Sequence, residues 1–319
     1  MMSKLDEFML LSSLSQNYMP PPPPLEIFHY TSPQGFSSIL FEDSDFITLW
    51  ASRADCLNDA SEGHIAYKMF QDTCCDMLRQ NEITENMFSL IQYVSPARTR
   101  LIQHYCGDKI ISTRPECDMF ISSFSEDRDS LAMWNYYAKG NRYEGYNFGL
   151  SPKEIETSLS QAFREKEVEF GIYPVIYSKT EQRHLIRELL LKLQEHYSKD
   201  QESSIKYFIS NRLSDWSLVF KDEHFQHEKE VRVIVYVARK TKDGILQQRP
   251  IEIKYRDVSG YTVPYIELRI DKNALTSVMV GPLMRSVGER QTQISILNER
   301  LKECNYTAIA DCSEIPVRY

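Results

Sequence analysis

The stretch VRVIVYVA, residues 231–238, predicts a β-strand at the centre of the fold. It consists mostly of β-branched and aromatic residues, which are enriched in strands. Strand alternation places Glu228, Glu230 and Arg232 on one face and the valines on the other. A row of charges opposite a row of valines indicates either a solvent-facing side or the wall of a cleft, and the sequence leaves both open.

Other segments predict a sheet of many strands with helices between them. Strands are predicted over residues 25–30, 45–52, 118–125, 146–150, 173–177, 251–254, 263–270, 277–280 and 307–309. Helices are predicted over residues 36–40, 61–80, 83–105, 127–138, 180–198, 203–219 and 287–303, with the stretch over 83–105 interrupted near Pro96. The alternation is too irregular for a doubly wound parallel sheet. The sequence therefore predicts an α+β fold with a mostly antiparallel, split or curved sheet and helical insertions.

An N-terminal arm, residues 1–24, is expected to precede a single α+β domain of catalytic type over residues 25–319. Residues 5–18 have the spacing of a short amphipathic helix, and Pro20 to Pro24 form a stiff, extended spacer. This run either links the arm to the body or, together with the arm, docks onto a partner that recognises proline.

The bulk composition favours a cytoplasmic protein. The net charge of −8 disfavours sequence-independent binding to a phosphate backbone, but it leaves a local basic groove open. The N-terminus lacks the basic residues of a signal peptide, and no window of about twenty apolar residues predicts a membrane span. The seven cysteines include no CxxC pair, so free thiols in a reducing compartment are expected.

Common catalytic motifs are missing from the sequence. It contains no GxGxxG, GxxxxGK[ST], HExxH or GxSxG motif, and its 11 glycines make a glycine-rich phosphate loop an unfavourable interpretation. This disfavours the commonest dehydrogenases and nucleotide hydrolases.

Polar residues at the ends of the first two predicted strands are candidate site residues. His29, followed by Tyr30 and Thr31, is either structural or a ligand for a ribose hydroxyl, with its tautomer set by a backbone carbonyl. Ser52 ends the second strand. The segment Asn58-Asp59 that follows is either a helix cap or part of a site.

Acidic residues after the second strand raise the alternative of metal binding. Asp59 and Glu62 would share one helix face, and Glu126 or Asp127 would have to complete a divalent-metal site. No clear third ligand is evident, so the sequence predicts no metal.

Dense aromatic residues follow the third predicted strand. Trp134 and Tyr137 belong to the segment MWNYYA, residues 133–138. They are either core residues or a wall on which a planar ring could stack.

Eight motifs carry a resemblance to a known family: HYT, LWAS, LNDxxE, SSFSEDxDSLAMWxxYA, YxxGL, EKEVRVIV, VGP and EIPVRY. In this order they resemble a bacterial family catalogued as domain of unknown function 2971. The resemblance extends from about Leu25 to the C-terminus.

That family is in turn similar to the NAD-dependent ADP-ribosyltransferases, including the branch of DNA-modifying toxins. The similarity implies an ADP-ribosyltransferase-like sheet and NAD as substrate. It also implies a histidine on the first strand, matched by His29, and a glutamate on a later strand, matched by Glu230 with Glu228 as the alternative. The middle residue stays open, because Ser52 fits by position while Trp134 or Tyr137 fits by chemistry.

The resemblance implies a role for each matched residue. Glu230 would stabilise the oxocarbenium-like cation formed as the nicotinamide–ribose bond breaks, and an aromatic ring would hold the nicotinamide. His29, with Tyr30 and Thr31 beside it, would bind the adenosine-side ribose. Arg232 or Arg53 would meet the pyrophosphate. This chemistry requires no metal.

Three functions therefore remain open. The first is an NAD-dependent ADP-ribosyltransferase or NAD glycohydrolase, acting as a toxin, a host-directed effector or an antiphage effector, with protein, nucleic acid or water as acceptor. The second is a non-catalytic module that binds a nucleotide or a protein. The third is a metal-dependent nuclease that uses Asp59, Glu62 and Glu126 or Asp127.

Overall fold

A computed structural model describes most of the chain and shows a mixed α+β fold. The described residues are 18–57, 64–138, 144–195, 197, 201–239, 241–242, 245–246, 249–282 and 287–316. The predicted helix over 5–18 and the acidic segment 58–63 lie almost wholly or wholly outside these residues.

Ten of the described strands join one sheet, and two short hairpins stand apart from it. The strands of the large sheet are β1 (Ile27–Thr31), β2 (Phe46–Arg53), β5 (Glu116–Ser125), β6 (Tyr146–Leu150), β7 (Val168–Pro174), β8 (Glu230–Arg239), β11 (Lys254–Val258), β12 (Tyr261–Asp271), β13 (Leu275–Val280) and β14 (Ile309–Cys312). The hairpins are β3 (Ile102–Cys106) with β4 (Lys109–Thr113), and β9 (Thr241–Lys242) with β10 (Ile245–Leu246).

The sheet is mostly antiparallel, as the sequence predicted. Among the described strands only β13 and β14 form a parallel ladder. Strand β8 pairs with β5 along its whole length and with β7 on its other side. Because both of its edges are paired and both of its faces are covered, nine consecutive residues of this strand, from Glu230 to Ala238, are buried.

The edge of β5 opposite β8 pairs with two strands, β1 and β2, which do not pair with each other. Strand β2 pairs with Phe120 and Ile121, whereas β1 meets β5 at Ser125. The ladder is interrupted between these contacts, so β1 and β2 diverge there, and the sheet continues from β1 to β6 and from β2 to β12.

Helices cover the sheet on two sides, which we call the first face and the second face. The first-face helices are α1 (Pro33–Phe41), α5 (Pro152–Phe163) and α8 (Val287–Glu303), which contribute Leu40, Leu159 and Leu301 to one core. The second-face helices are α2 (Ile65–Arg79), α3 (Glu85–Ile91), α6 (Lys179–Glu195) and α7 (Glu202–Trp216). A short helix, α4 (Leu131–Tyr137), packs against β1.

One helix prediction was wrong, and one helix was not predicted. The helix predicted over 83–105 ends at Ile91, and the chain then forms the β3–β4 hairpin, which turns at Gly107 with φ of 62°. Helix α5 was not predicted, although Ser151 caps it through the backbone N–H of Glu154 and Pro152 occupies its first turn.

The described end of the N-terminal arm is attached to the second face. The indole N–H of Trp216 donates to the carbonyl of Tyr18 at 2.9 Å, and the Tyr18 side chain packs against the same core. The docking of a partner onto Pro20 to Pro24 stays a prediction. All seven cysteines are free thiols, and no described helix has the length and apolarity needed to span a membrane.

Candidate functional site

A buried cluster of four charges lies where β8 begins. The guanidinium of Arg232 grips the carboxylate of Glu230 through two nitrogens, at 2.9 Å and 2.8 Å. Lys221 donates to Glu230 at 3.0 Å and to Glu228 at 2.7 Å. We call Glu228, Glu230, Lys221 and Arg232 the charge cluster.

The charge cluster keeps Glu230 ionised. Burial by itself would raise the pKa of this carboxyl, but Arg232 and Lys221 outweigh burial and lower the pKa to about 2. The hydroxyl of Ser123 adds a hydrogen bond that acts in the same direction. Glu230 therefore holds a full negative charge at neutral pH, although only 6% of the residue is exposed.

Two tyrosines border the charge cluster. The backbone N–H of Glu230 donates to the hydroxyl of Tyr177 at 2.9 Å. Burial, followed by the negative charges of Glu228 and Glu230, raises the pKa of Tyr137 to about 12. Tyr137 is nevertheless accessible to solvent, with 41% of the residue exposed. It is thus an accessible aromatic ring beside a buried carboxylate.

A tight turn brings the two acidic residues to the same lysine. Lys229, between them, adopts the left-handed conformation with φ of 42°, which is uncommon for a residue other than glycine. The turn is held by the end of β5 and the residues after it: the Ser125 hydroxyl donates to the carbonyl of Glu228 at 2.7 Å, and Lys229 pairs with Asp127 at 2.7 Å. Because of this turn, Glu228 and Glu230 both reach Lys221.

His29 lies on the other side of the sheet. Phe28 is opposite Ser125, which is opposite Glu230, so alternation turns His29 to the first face. Its ring packs against Phe124 and Phe148, with centroids 5.5 Å and 5.3 Å away. The resemblance implies that His29 and Glu230 bind the same NAD molecule, and this geometry does not support direct binding by both.

Ser123 connects the two residues through the sheet. Its backbone carbonyl accepts a hydrogen bond from Nδ1 of His29 at 3.1 Å, while its hydroxyl contacts Glu230. Burial lowers the pKa of His29 to about 4, so its imidazole is neutral at pH 7 and carries its proton on Nδ1.

His29 should make the protein less stable as the pH falls from 6.5 to 4. Because the imidazole has a pKa of 6.5 in the unfolded chain and about 4 in the fold, the unfolded chain binds the proton first. The full stabilisation is present above pH 6.5 and is lost towards pH 4. We expect His29→Gln to remove about 1–2 kcal/mol of this pH dependence in urea unfolding, a value discounted for partial exposure. His224→Gln, at an exposed histidine, is the control. If the free energy of unfolding of His29→Gln changed with pH as steeply as that of the unmodified protein, the prediction would be contradicted.

Tyr30 and Trp134 are core residues. Tyr30 donates to the carbonyl of Asp127 at 2.6 Å, and its ring packs against the fully buried Trp134 at 4.8 Å. The indole N–H of Trp134 is bound by Asp129 at 2.7 Å. Neither ring offers a face to a ligand in this arrangement, so a stacking role for Trp134 is not supported.

Thr31 and Ser52 also lie away from the charge cluster. Thr31 lies against Gly35 at the start of α1, where an added Cβ would be 2.3 Å from its hydroxyl. Ser52 pairs with Ile121, four positions along β5 from Ser125, which corresponds to about 13 Å. The structure therefore brings together Glu230, Arg232 and Tyr137 of the predicted site residues.

A metal site is not formed by the described part of the chain. No group of three or more histidine, cysteine or carboxylate side chains within it is placed to hold a metal ion. Asp127 is paired with Lys229 instead. Asp59 and Glu62 lie outside the described residues, so the nuclease hypothesis stays a prediction.

Lys221 and Tyr177 were missed by the sequence analysis. Tyr177 ends the segment YPVIY (residues 173–177), and Lys221 ends the segment SLVFK (residues 217–221). The two mostly apolar segments form the isolated bridge Ile176–Phe220. A lysine at the end of an apolar segment is a weak signal of a buried ion pair.

A cavity of about 260 Å³ lies near the opposite end of β8, away from the charge cluster. Its lining includes Arg98, Arg100, Cys117 and Tyr236. Burial raises the pKa of Cys117 to about 12, so this thiol stays protonated and is a poor nucleophile.

The fold and site define an α+β protein with a buried, ionised carboxylate at one end of a large, mostly antiparallel sheet. The model of a family described as "Protein of unknown function (DUF2971)" matches residues 133–233, about a third of the chain. The match includes Tyr137 and the whole charge cluster, and it supports the resemblance to this family. Neither a curated protein nor a solved structure matches the chain.

Proposed function

We propose that the protein cleaves the nicotinamide–ribose bond of NAD, as an ADP-ribosyltransferase or an NAD glycohydrolase. The observation that carries the proposal is the pair formed by Glu230 and Tyr137. Glu230 is a carboxylate that is buried yet ionised, and Tyr137 is an exposed ring beside it.

The chemistry uses the negative charge of Glu230. When the C1′–N bond breaks, its electrons leave with neutral nicotinamide, and C1′ becomes oxocarbenium-like. A fixed carboxylate in a dry environment stabilises this growing positive charge. Water or an acceptor group then bonds to C1′ and loses a proton. Tyr137 would stack on the nicotinamide, and Arg232 would position Glu230.

His29 has an indirect role in this proposal. It holds the backbone of Ser123, whose hydroxyl contacts Glu230, and does not contact the ribose. An ADP-ribosyltransferase-like sheet is part of the proposal, and the divergence of β1 and β2 along β5 supports it. Action as a toxin, a host-directed effector or an antiphage effector follows only from the resemblance.

One observation favours the second candidate, a non-catalytic module that binds a nucleotide or a protein. Arg232 and Lys221 already occupy both oxygens of Glu230. Such a carboxylate is bound as in a structural ion pair, and substrate would have to displace one of these contacts.

The test is release of nicotinamide from NAD, measured by liquid chromatography alongside calorimetric binding of NAD. We expect Glu230→Gln to reduce release about a hundredfold, because it removes the charge that stabilises the cation. Tyr137→Ala should weaken NAD binding. Glu223→Gln is the matched control, since Glu223 is half-exposed and pairs with Lys179 outside the cluster.

The outcomes separate the candidates. Binding of NAD without turnover supports the non-catalytic module. Turnover that survives Glu230→Gln, in a variant that remains folded by circular dichroism, contradicts the proposed role of this carboxylate. No binding of NAD at all rules out the proposal.

A further inference from the structure

Trp50 is exposed although it lies on an inner strand of the sheet. It is 44% exposed, whereas the other two tryptophans, Trp134 and Trp216, are completely buried. Its ring packs on one side against Tyr265, with the centroids 4.6 Å apart. A large aromatic ring held in place by the fold but open to solvent is typical of binding surfaces.

Next to this ring lies a positive charge that is paired with no carboxylate of the described residues. The Arg256 guanidinium lies over Trp50 at 5.3 Å and over Tyr265 at 5.9 Å, and it donates to the hydroxyl of Ser52 at 2.8 Å. Its buried Nε has no hydrogen-bond partner in the part of the chain that the structure describes. Burial lowers the pKa of Arg256, and no carboxylate of the described chain contributes to that shift.

Other cations on the same sheet face are neutralised. Lys254 pairs with Glu267 at 2.8 Å, and Arg269 pairs with Asp43 at 2.5 Å. Arg256 therefore leaves a local excess of positive charge beside Trp50, although the whole chain is acidic. A desolvated donor that is already oriented and lacks an acceptor is suited to an anion.

The aromatic surface extends along β12. Alternation puts Tyr261 on the same face as Tyr265, four residues or about 13 Å away. Tyr261 is 77% exposed and follows a two-residue turn, Ser259-Gly260, in which both residues have positive φ. The span exceeds the rise of about 3.4 Å between stacked bases, so the surface accommodates more than one base.

We propose that Trp50, Arg256, Tyr265 and Tyr261 form a site for single-stranded nucleic acid. Bases would stack on Trp50 and Tyr261, and a phosphate would accept hydrogen bonds from Arg256. A duplex hides the faces of its bases, whereas a single strand exposes them. This site is separate from the charge cluster and does not depend on NAD chemistry.

The test is fluorescence anisotropy with labelled oligothymidylate at several salt concentrations. We expect Trp50→Ala to weaken binding about tenfold or more through loss of stacking, and Trp50→Phe to retain most of the affinity. Arg256→Ala should reduce the slope of log affinity against log salt by about 0.7, and Arg256→Lys should preserve the slope. Tyr93→Ala, a change at an 84% exposed ring outside the surface, is the control.

Four results would overturn the proposal. They are equal affinity of Trp50→Ala and the unmodified protein, equal affinity for the matching duplex, equal affinity for thymidine monophosphate alone, and tighter binding of polyglutamate than of the oligonucleotide. Circular dichroism and thermal unfolding of each variant show whether it is folded, and the conservative variants Trp50→Phe and Arg256→Lys keep the test decisive if an alanine variant unfolds.

Discussion

Replacing Arg232 with methionine should lower the free energy of unfolding by about 3 kcal/mol, as measured by urea denaturation at pH 7. The Arg232 side chain is only 2% exposed, and it donates to both carboxylate oxygens of Glu230 and to the carbonyl of Leu218. Without it, the buried carboxylate keeps Lys221 but loses its bidentate partner. Arg53→Met is the control, because Arg53 pairs with an exposed Asp55 and should change stability by no more than about 0.5 kcal/mol.

The pH dependence should reveal the cause of this loss. In the unmodified protein the pKa of Glu230 is lowered to about 2, so its contribution is present above pH 4.5 and is lost as the pH falls through 2. Arg232→Met removes most of this contribution, so the difference between the two proteins should be largest above pH 4.5 and should shrink on acidification.

A double variant provides the sharper control. Adding Glu230→Gln to Arg232→Met removes the buried charge that has lost its bidentate partner, and it should restore part of the lost stability. If the two single changes were simply additive, the buried ion pair would not be the source of the effect.

The sequence predicted β8 to within one residue at each end because its signal is local. Its apolar residues are consecutive, and the alternation of Glu230 and Arg232 with valines was also correct. The consequence of that alternation was not predictable. The charged face meets the segment that follows α7, through the carbonyl of Leu218 and the ammonium of Lys221, and such burial depends on tertiary packing that no local pattern contains.

The hairpin at residues 102–113 was not predicted, because its local signal favoured a helix. Apolar residues before it continue a helical spacing, and this favoured a helical stretch over 83–105 with an interruption near Pro96. The chain instead turns at Gly107 and pairs Ile102 with Thr113. Helix α5 differs, because Ser151 followed by Pro152 is a local signal of a helix start in the sequence.

The candidate site was predictable only in part. Glu230, Arg232 and Tyr137 come together as charged and aromatic neighbours of one strand. His29 was assigned by its place at the end of a strand, and that place does not determine a face. The register of β1 against β5 determines the face, and it turns His29 away from Glu230.

A second buried network, on the other half of β8, escaped the sequence analysis entirely. The carboxylate of Asp215, on α7, accepts hydrogen bonds from Arg100 and, at 2.9 Å, from the hydroxyl of Tyr236. Arg212 lies 3.5 Å from its other oxygen, and Glu169 on β7 binds Arg100 at 2.6 Å. The network joins residues more than a hundred positions apart, so no spacing in the sequence indicates it.

Asp215→Asn should therefore lower the free energy of unfolding by about 3–5 kcal/mol. The change removes the negative charge between Arg100 and Arg212. Their side chains are only 18% and 5% exposed, so water cannot replace the lost charge. Tyr236→Phe, which removes one hydroxyl from the same carboxylate, should cost about 1 kcal/mol. Asp55→Asn, at an exposed ion pair, is the matched control in urea denaturation.

The comparison of these variants distinguishes a buried charge from a lost hydrogen bond. If Asp215→Asn and Tyr236→Phe had the same small effect, the carboxylate would act only as a hydrogen-bond acceptor. A large effect of Asp215→Asn alone would mean that its negative charge stabilises two guanidiniums on the second face. In that case the end of α7 is attached to β7 through Arg100 and to β8 through Tyr236, while Arg232 attaches the carbonyl of Leu218, just after α7, to the start of β8.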